Sequence, residues 1–294
     1  MKPGIFKRTA IAALAAVGFA AHAAEWSDTA LSERYGTSFQ EPDNTKKIGK
    51  HITNLTNVSG YAYGTNFFSV DLLNSDAVDS GVNISGANAP YTANYSSVGS
   101  QEAYVSYRNT VDFSKFTASP LKYGFVRSFG ATAGFDWNTK NNVYGSKKQM
   151  EVVGPTVMFD VPGFANLSIL ELYESQYSNF NSATSRFNYK PHAALDLAFG
   201  IPFSIGPAKF SFEGYWDYID AKGQLEPGGM ASGRENHFDG RIMYDVSTLL
   251  TAKPKTFQLG VEYEFWKNKF GDTVASDGIG TRASTPMVRA EYHF

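Results

Sequence analysis

Apolar residues fall on every second position along most of the chain. Phe257, Leu259, Val261, Tyr263 and Phe265 alternate with Gln258, Glu262 and Glu264, the two-residue period of a strand with one apolar and one polar face. Phe210, Phe212, Trp216 and Tyr218 repeat it against Ser211, Glu213 and Asp217, as do Ala131, Ala133, Phe135 and Trp137 against Thr132, Asp136 and Asn138. No convincing helical stripe occurs beyond Ala24. The pattern predicts twelve strands, near residues 26–35, 50–60, 65–76, 101–112, 121–138, 147–160, 165–177, 186–199, 208–220, 236–247, 256–269 and 284–294. Gly64, Pro162-Gly163 and Gly206-Pro207 mark compact turns, whereas residues 77–100, 221–235 and 270–283 are long, polar and rich in Gly, Ser, Asn and Asp. Short turns at one end and long loops at the other are the signature of an outer-membrane barrel, and termini on one side require an even strand number.

Composition sharpens this picture. The mean hydropathy is −0.28, and no stretch after the first 25 residues approaches the roughly 20 apolar residues of a spanning helix. A multi-helix membrane protein is thereby excluded, but a barrel is not, because its lipid-facing and lumen-facing residues average out. Lys2, Lys7 and Arg8 precede a small, apolar run from Thr9 to Ala21, and Ala21-His22-Ala23 fits a cleavage site. Residues 1–23 therefore read as a secretory signal peptide and 24–294 as a single β-barrel domain. The first 23 residues hold three of the 26 basic and none of the 28 acidic side chains, so the remainder carries a formal charge of −5. That argues against nucleic acid as a partner. With no cysteine, an exported chain is held by packing and hydrogen bonds alone.

The expected fold is all-β: a transmembrane antiparallel barrel of about twelve strands with a narrow lumen, in the outer membrane of a Gram-negative bacterium. A soluble sandwich or lipocalin-like barrel is the alternative. Tyr218, Phe238, Tyr244, Phe265, Trp266, Tyr292 and Phe294 lie near expected strand ends, where membrane girdles collect aromatics. Val288, Ala290, Tyr292 and Phe294 alternate with Arg289, Glu291 and His293. A last strand with this pattern and a final Phe294 resembles the signal read by barrel assembly machinery.

Catalytic motifs are mostly missing. The five histidines have no neighbour at metal-ligand spacing, no Gly-x-Ser-x-Gly elbow occurs, and Gly278-x-Gly280-x-x-Ala283 is not followed by a helix. The chain reads as a non-enzyme without metal or cofactor. An outer-membrane hydrolase is a weaker alternative, since Glu262 and Glu264 read as solvated wall and not as an acid/base pair. Function is sought in the lumen. Strand phase places Phe67, Asp71, Arg108 and Asp136 there, with Glu213, Tyr215, Asp239 and Arg241, and Glu262, Arg289 and Glu291. Glu171 and Tyr173 join them if Leu170 and Leu172 face lipid. This set is mostly acidic, so neutral or cationic polar solutes are favoured over anions. Phe67, Tyr173, Tyr215 and Trp266 could stack on a planar base or sugar. Lys46, Lys47, Lys50, Lys140, Lys147 and Lys148 are expected in or beside outer loops, where lipopolysaccharide phosphates are potential partners.

The segments 54–76 (NLTNVSGYAYGTNFFSVDLLNSD), 134–164 (GFDWNTKNNVYGSKKQMEVVGPTVMFDVPGF), 259–271 (LGVEYEFWKNKFG) and 287–294 (MVRAEYHF) resemble the Tsx-type family of nucleoside-specific channel-forming outer-membrane proteins, in the branch of outer envelope proteins. The resemblance implies a monomeric twelve-stranded barrel that passes nucleosides along aromatic and ionisable side chains. It also implies outer loops that serve phages and colicins as receptors. A barrel with a purely structural or receptor role is the alternative that the polar loop 77–100 supports.

Overall fold

The computed structural model describes residues 24–42, 44–79, 99–117, 121–142, 145, 147–177 and 186–294. The expected signal peptide, residues 1–23, and most of the loop 77–100 lie outside the described residues. Strands β1 (Trp26–Phe39), β2 (Ile48–Tyr61), β3 (Gly64–Ser75), β4 (Gln101–Asp112), β5 (Val126–Lys140), β6 (Gln149–Phe159) and β7 (Phe164–Gln176) form one half. A two-residue strand β8 (Phe187–Asn188) precedes β9 (His192–Ile205), β10 (Ala208–Ile219), β11 (Glu235–Asp245), β12 (Phe257–Lys267) and β13 (Arg282–His293).

The twelve long strands pair antiparallel with their neighbours, β7 pairs with β9, and β1 pairs with β13, so the sheet closes on itself. Closure leaves none of the twelve long strands with a free edge. At the seam Ala30 lies opposite His293 and Gly36 opposite Met287, and the Phe294 N–H donates to Thr29 O at 2.9 Å.

Local chemistry sets the turns. Between β9 and β10 the loop is Gly206-Pro207; Gly206 has φ +58°, and proline's fixed negative φ follows, the combination of a II′ hairpin. Expected strand eight begins later than its pattern suggests. β8 pairs with β7 at only Ser175 and Gln176, and Pro191, which has no N–H to donate, separates it from β9. At β1 the register slips between Gly36 and Phe39. This bulge turns Phe39 inward, where it is 2% exposed and packs with Ile48, Ile52 and Met287.

The outer face carries an apolar belt. Leu55, Ile242, Leu259, Val261 and Val288 are 41–61% exposed, an arrangement that acyl chains solvate and water does not. At the short-turn end outward rings meet in sequence: Phe203 with Phe210 at 5.4 Å, Phe210 with Tyr244 at 5.0 Å and Phe257 with Tyr292 at 5.0 Å. This is an interfacial girdle. One outward patch departs from the belt: Glu33 accepts from Thr53 at 2.7 Å and lies 3.2 Å from His51.

Candidate functional site: the lumen

Inward side chains form three regions. At mid-height Arg34 on β1 donates to Asp71 on β3 at 2.5 Å and to Glu262 on β12 at 2.6 Å. Asp239 lies 3.9 Å away. Glu262 also accepts from Arg289 at 3.0 Å, and Arg289 reaches Glu291 at 2.8 Å. Arg241 and Glu213 pair at 2.8 Å beside them. The Glu262 side chain has no exposure and that of Arg289 only 3%, so side chains fill this side of the lumen. Glu213 and Arg241 are direct cross-strand neighbours on one face, whereas Arg34 lies opposite Arg289 and reaches past β2 to Asp71 and past β13 to Glu262.

Another part of the wall is built differently. Arg108 meets Asp136 through two hydrogen bonds of 2.7 and 3.2 Å, and Tyr104 donates to the same carboxylate at 3.0 Å. A hydroxyl ladder, Thr110–Thr132–Thr156–Ser168, crosses β4 to β7 with steps of 2.8, 2.6 and 2.9 Å. Above it Met150, Val152, Leu170, Leu172 and Ala194 form an inward apolar cluster.

Charges gather again at the loop end. Glu41, Lys50, Lys140 and Lys269 form one group, with Lys140 also bound to Asp79 at 2.9 Å. Burial alone would raise the Glu41 carboxyl, but Lys140, Lys269 and Lys50 outweigh it and hold the group well below the usual carboxylate range. Glu174 and Lys222 pair at 3.0 Å in a second group, with His192 at 3.8 Å. Burial opposes charge on Lys222, yet Glu174 and Glu235 carry its ammonium above its ordinary range. Between the groups runs a column of rings. Tyr215 meets His237 edge-on at 5.1 Å, His237 stacks on Trp266 at 3.9 Å, and Trp266 meets Phe270 at 4.9 Å.

Phe67, Asp71, Arg108, Asp136, Glu213, Tyr215, Asp239, Arg241, Glu262, Arg289 and Glu291 share the inward phase of their strands. Glu171 and Tyr173 do not: the inward residues of β7 are Ser168, Leu170, Leu172 and Glu174, and Glu171 is exposed on the outer face. The reason is that both phases of β7 carry large apolar residues, Ile169 outside and Leu170 and Leu172 inside, so hydrophobicity cannot orient the strand. Trp266 points into the lumen and leaves the outer girdle. The mostly acidic lumen also needs correction. Arg34 is an inward cation absent from the expected set, and Lys50, Lys140 and Lys148, expected in or beside loops, face inward. Lys222 and Lys269 reach in from loops. Arg34 was legible, since it alternates with Leu31 and Tyr35. The loop lysines carry no period that could have located them.

Among the described residues, no group of three or more His, Cys, Asp or Glu side chains is placed to hold a metal. No protein-family model matches the sequence, and a search of curated proteins finds no match. Solved structures similar to the chain are outer-membrane β-barrels. The KdgM porin is 11% identical over 90% of this chain and 99% of its own, with a TM-score of 0.39. The translocator domain of the autotransporter NalP from Neisseria meningitidis is 8% identical over 99% and 96%, at 0.40. OccAB3 of Acinetobacter baumannii is 11% identical over 91% and 98%, at 0.34.

Proposed function

We propose that the chain is an outer-membrane channel of a Gram-negative bacterium for passive diffusion of small polar solutes, and that nucleosides are among them. The observation that carries this reading is the inward ring column Tyr215–His237–Trp266, set above the polar network of Arg34, Asp71 and Glu262. A nucleoside has both parts such a wall would recognise. Its base can stack on an aromatic face, worth roughly 1–3 kcal/mol per base, and its sugar hydroxyls can exchange hydrogen bonds with the charged groups below. A barrel of twelve strands lies between the side-chain-filled eight-stranded barrels and the open sixteen-stranded porins, which suits a small solute and a narrow path.

The test is current through the purified barrel in a planar bilayer. Ionic conductance that falls as uridine or adenosine is added supports the reading. Steady conductance at millimolar nucleoside removes the nucleoside and leaves a general channel; no conductance at all removes the channel.

A further inference from the structure

We infer that the outer mouth of the lumen holds a carboxylate-binding site, built by Lys50, Lys140 and Lys269, which Glu41 occupies as a tethered stand-in for a solute anion. Three ammonium groups face a single oxygen: Lys50 Nζ lies 2.5 Å and Lys269 Nζ 3.3 Å from Glu41 Oε1, and Lys140 Nζ, whose nearer partner is Asp79 at 2.9 Å, lies 3.8 Å from it. The cations come from three separate places, namely the start of β2, the turn after β12 and the end of β5. Their side chains are only 3–11% exposed. The occupant is different in kind. Glu41 lies beyond the end of β1 and before the start of β2, so its carboxylate can leave without breaking the pairing of either strand.

The seat offers more than charge. Lys50 lies over the Phe39 ring at 5.3 Å, and Lys269 over Trp266 at 4.9 Å and Phe270 at 5.1 Å. Trp266 in turn stacks on His237. A small carboxylate carried on a planar ring could therefore place its anion among the ammoniums and its ring against the aromatic column. A loop lock made of ion pairs alone has no need of this flank. At the mouth, where ammonium groups surround the site, the local field attracts an anion and does not repel it. The inference rests on the channel reading only for its use in solute uptake; the binding itself requires no conduction.

The experiment is an equilibrium titration of the refolded full chain in detergent micelles with sodium benzoate, read by calorimetry and tryptophan fluorescence. Benzyl alcohol serves as the uncharged control. Glu41→Gln, which removes the internal competitor, is expected to bind benzoate about tenfold more tightly than the natural chain, a difference of about 1.4 kcal/mol, with no gain for benzyl alcohol. Adding Lys269→Met is expected to abolish the gain. Glu41→Asp keeps the charge on a shorter arm and is expected to fall between the two; it also carries the test if Glu41→Gln does not refold. Equal benzoate affinity in the natural chain and the folded Glu41 variants overturns the inference, as does a gain shared by benzyl alcohol or one that survives loss of Lys269. A barrel that binds benzoate as expected yet passes no current refutes the channel and leaves the site standing.

Discussion

Replacing Arg34 with methionine is expected to destabilise the barrel by about 3 kcal/mol. Removing one member of a buried ion pair leaves its partner charged without compensation, which typically costs about 3–5 kcal/mol. Arg34 serves two carboxylates directly and its side chain is 12% exposed. The low end of the range applies, because neither partner is left bare. Glu262 retains Arg289 at 3.0 Å, and Asp71 retains the Asn54 amide at 2.7 Å. Asp71→Asn is expected to be milder, near 1 kcal/mol, since Arg34 then keeps Glu262 and position 71 is the most open of the three. The assay is reversible urea unfolding of the refolded barrel in lipid, followed by tryptophan fluorescence, with slowed gel migration after heating as the check on folding. Combining Arg34→Met with Glu262→Gln completes a cycle, and the two changes together are expected to cost at least 1 kcal/mol less than their sum. A loss below about 1 kcal/mol for Arg34→Met, or strict additivity in the cycle, would falsify the view that this network is a desolvated, mutually dependent unit.

Three further outcomes are expected. A cysteine placed by Glu171→Cys should be labelled in liposomes by a lipid-soluble maleimide, and Leu172→Cys should stay protected; the reverse labelling would restore the opposite phase for β7. Glu33→Leu should raise the unfolding free energy in liposomes by about 1 kcal/mol, less than the roughly 2–4 kcal/mol known for Arg or Lys at the midplane; no gain would mean that this outward position is wet. Glu41 has a depressed folded-state pKa, so its contribution is complete above the unfolded value of about 4.3 and is lost only as the pH falls through the lower folded one. The mouth cluster should accordingly stay closed from pH 7 to pH 5. A conductance change in that window that Glu41→Gln eliminates would contradict this.

Period two was enough to locate the strands and most of the lumen. In β12 the alternation of Leu259, Val261 and Tyr263 with Glu262 and Glu264 has one assignment, because only one phase is apolar, and β13 behaves alike through Val288, Arg289, Ala290 and Glu291. Where both phases are apolar the same reasoning gives no sign, which is why the lumen placement of Glu171 and Tyr173 depends on Leu170 and Leu172 facing lipid and fails when they face inward. A second failure arises at the bulge between Gly36 and Phe39. One extra residue there exchanges the two faces, and no local composition announces it. The loop-end clusters are a third kind of gap. Glu41 and Lys269 meet across 228 positions of sequence, and their approach depends on how two loops fold over the rim, not on any spacing within either.

The seam between β1 and β13 governs how such a molecule can form. Its contacts join residues as far apart as Asp28 and His293, 265 positions in sequence, whereas the other neighbouring strands follow closely along the chain. Most of the sheet can grow hairpin by hairpin, but the ring gains nothing from its closing contact until the whole circuit is in place. Loop-closure entropy then makes the last pairing a late and slow event. Every earlier species exposes two open strand edges able to recruit other chains. The closed barrel is thus a poor guide to the hazards of its own assembly: its safest region when finished is its most aggregation-prone one beforehand.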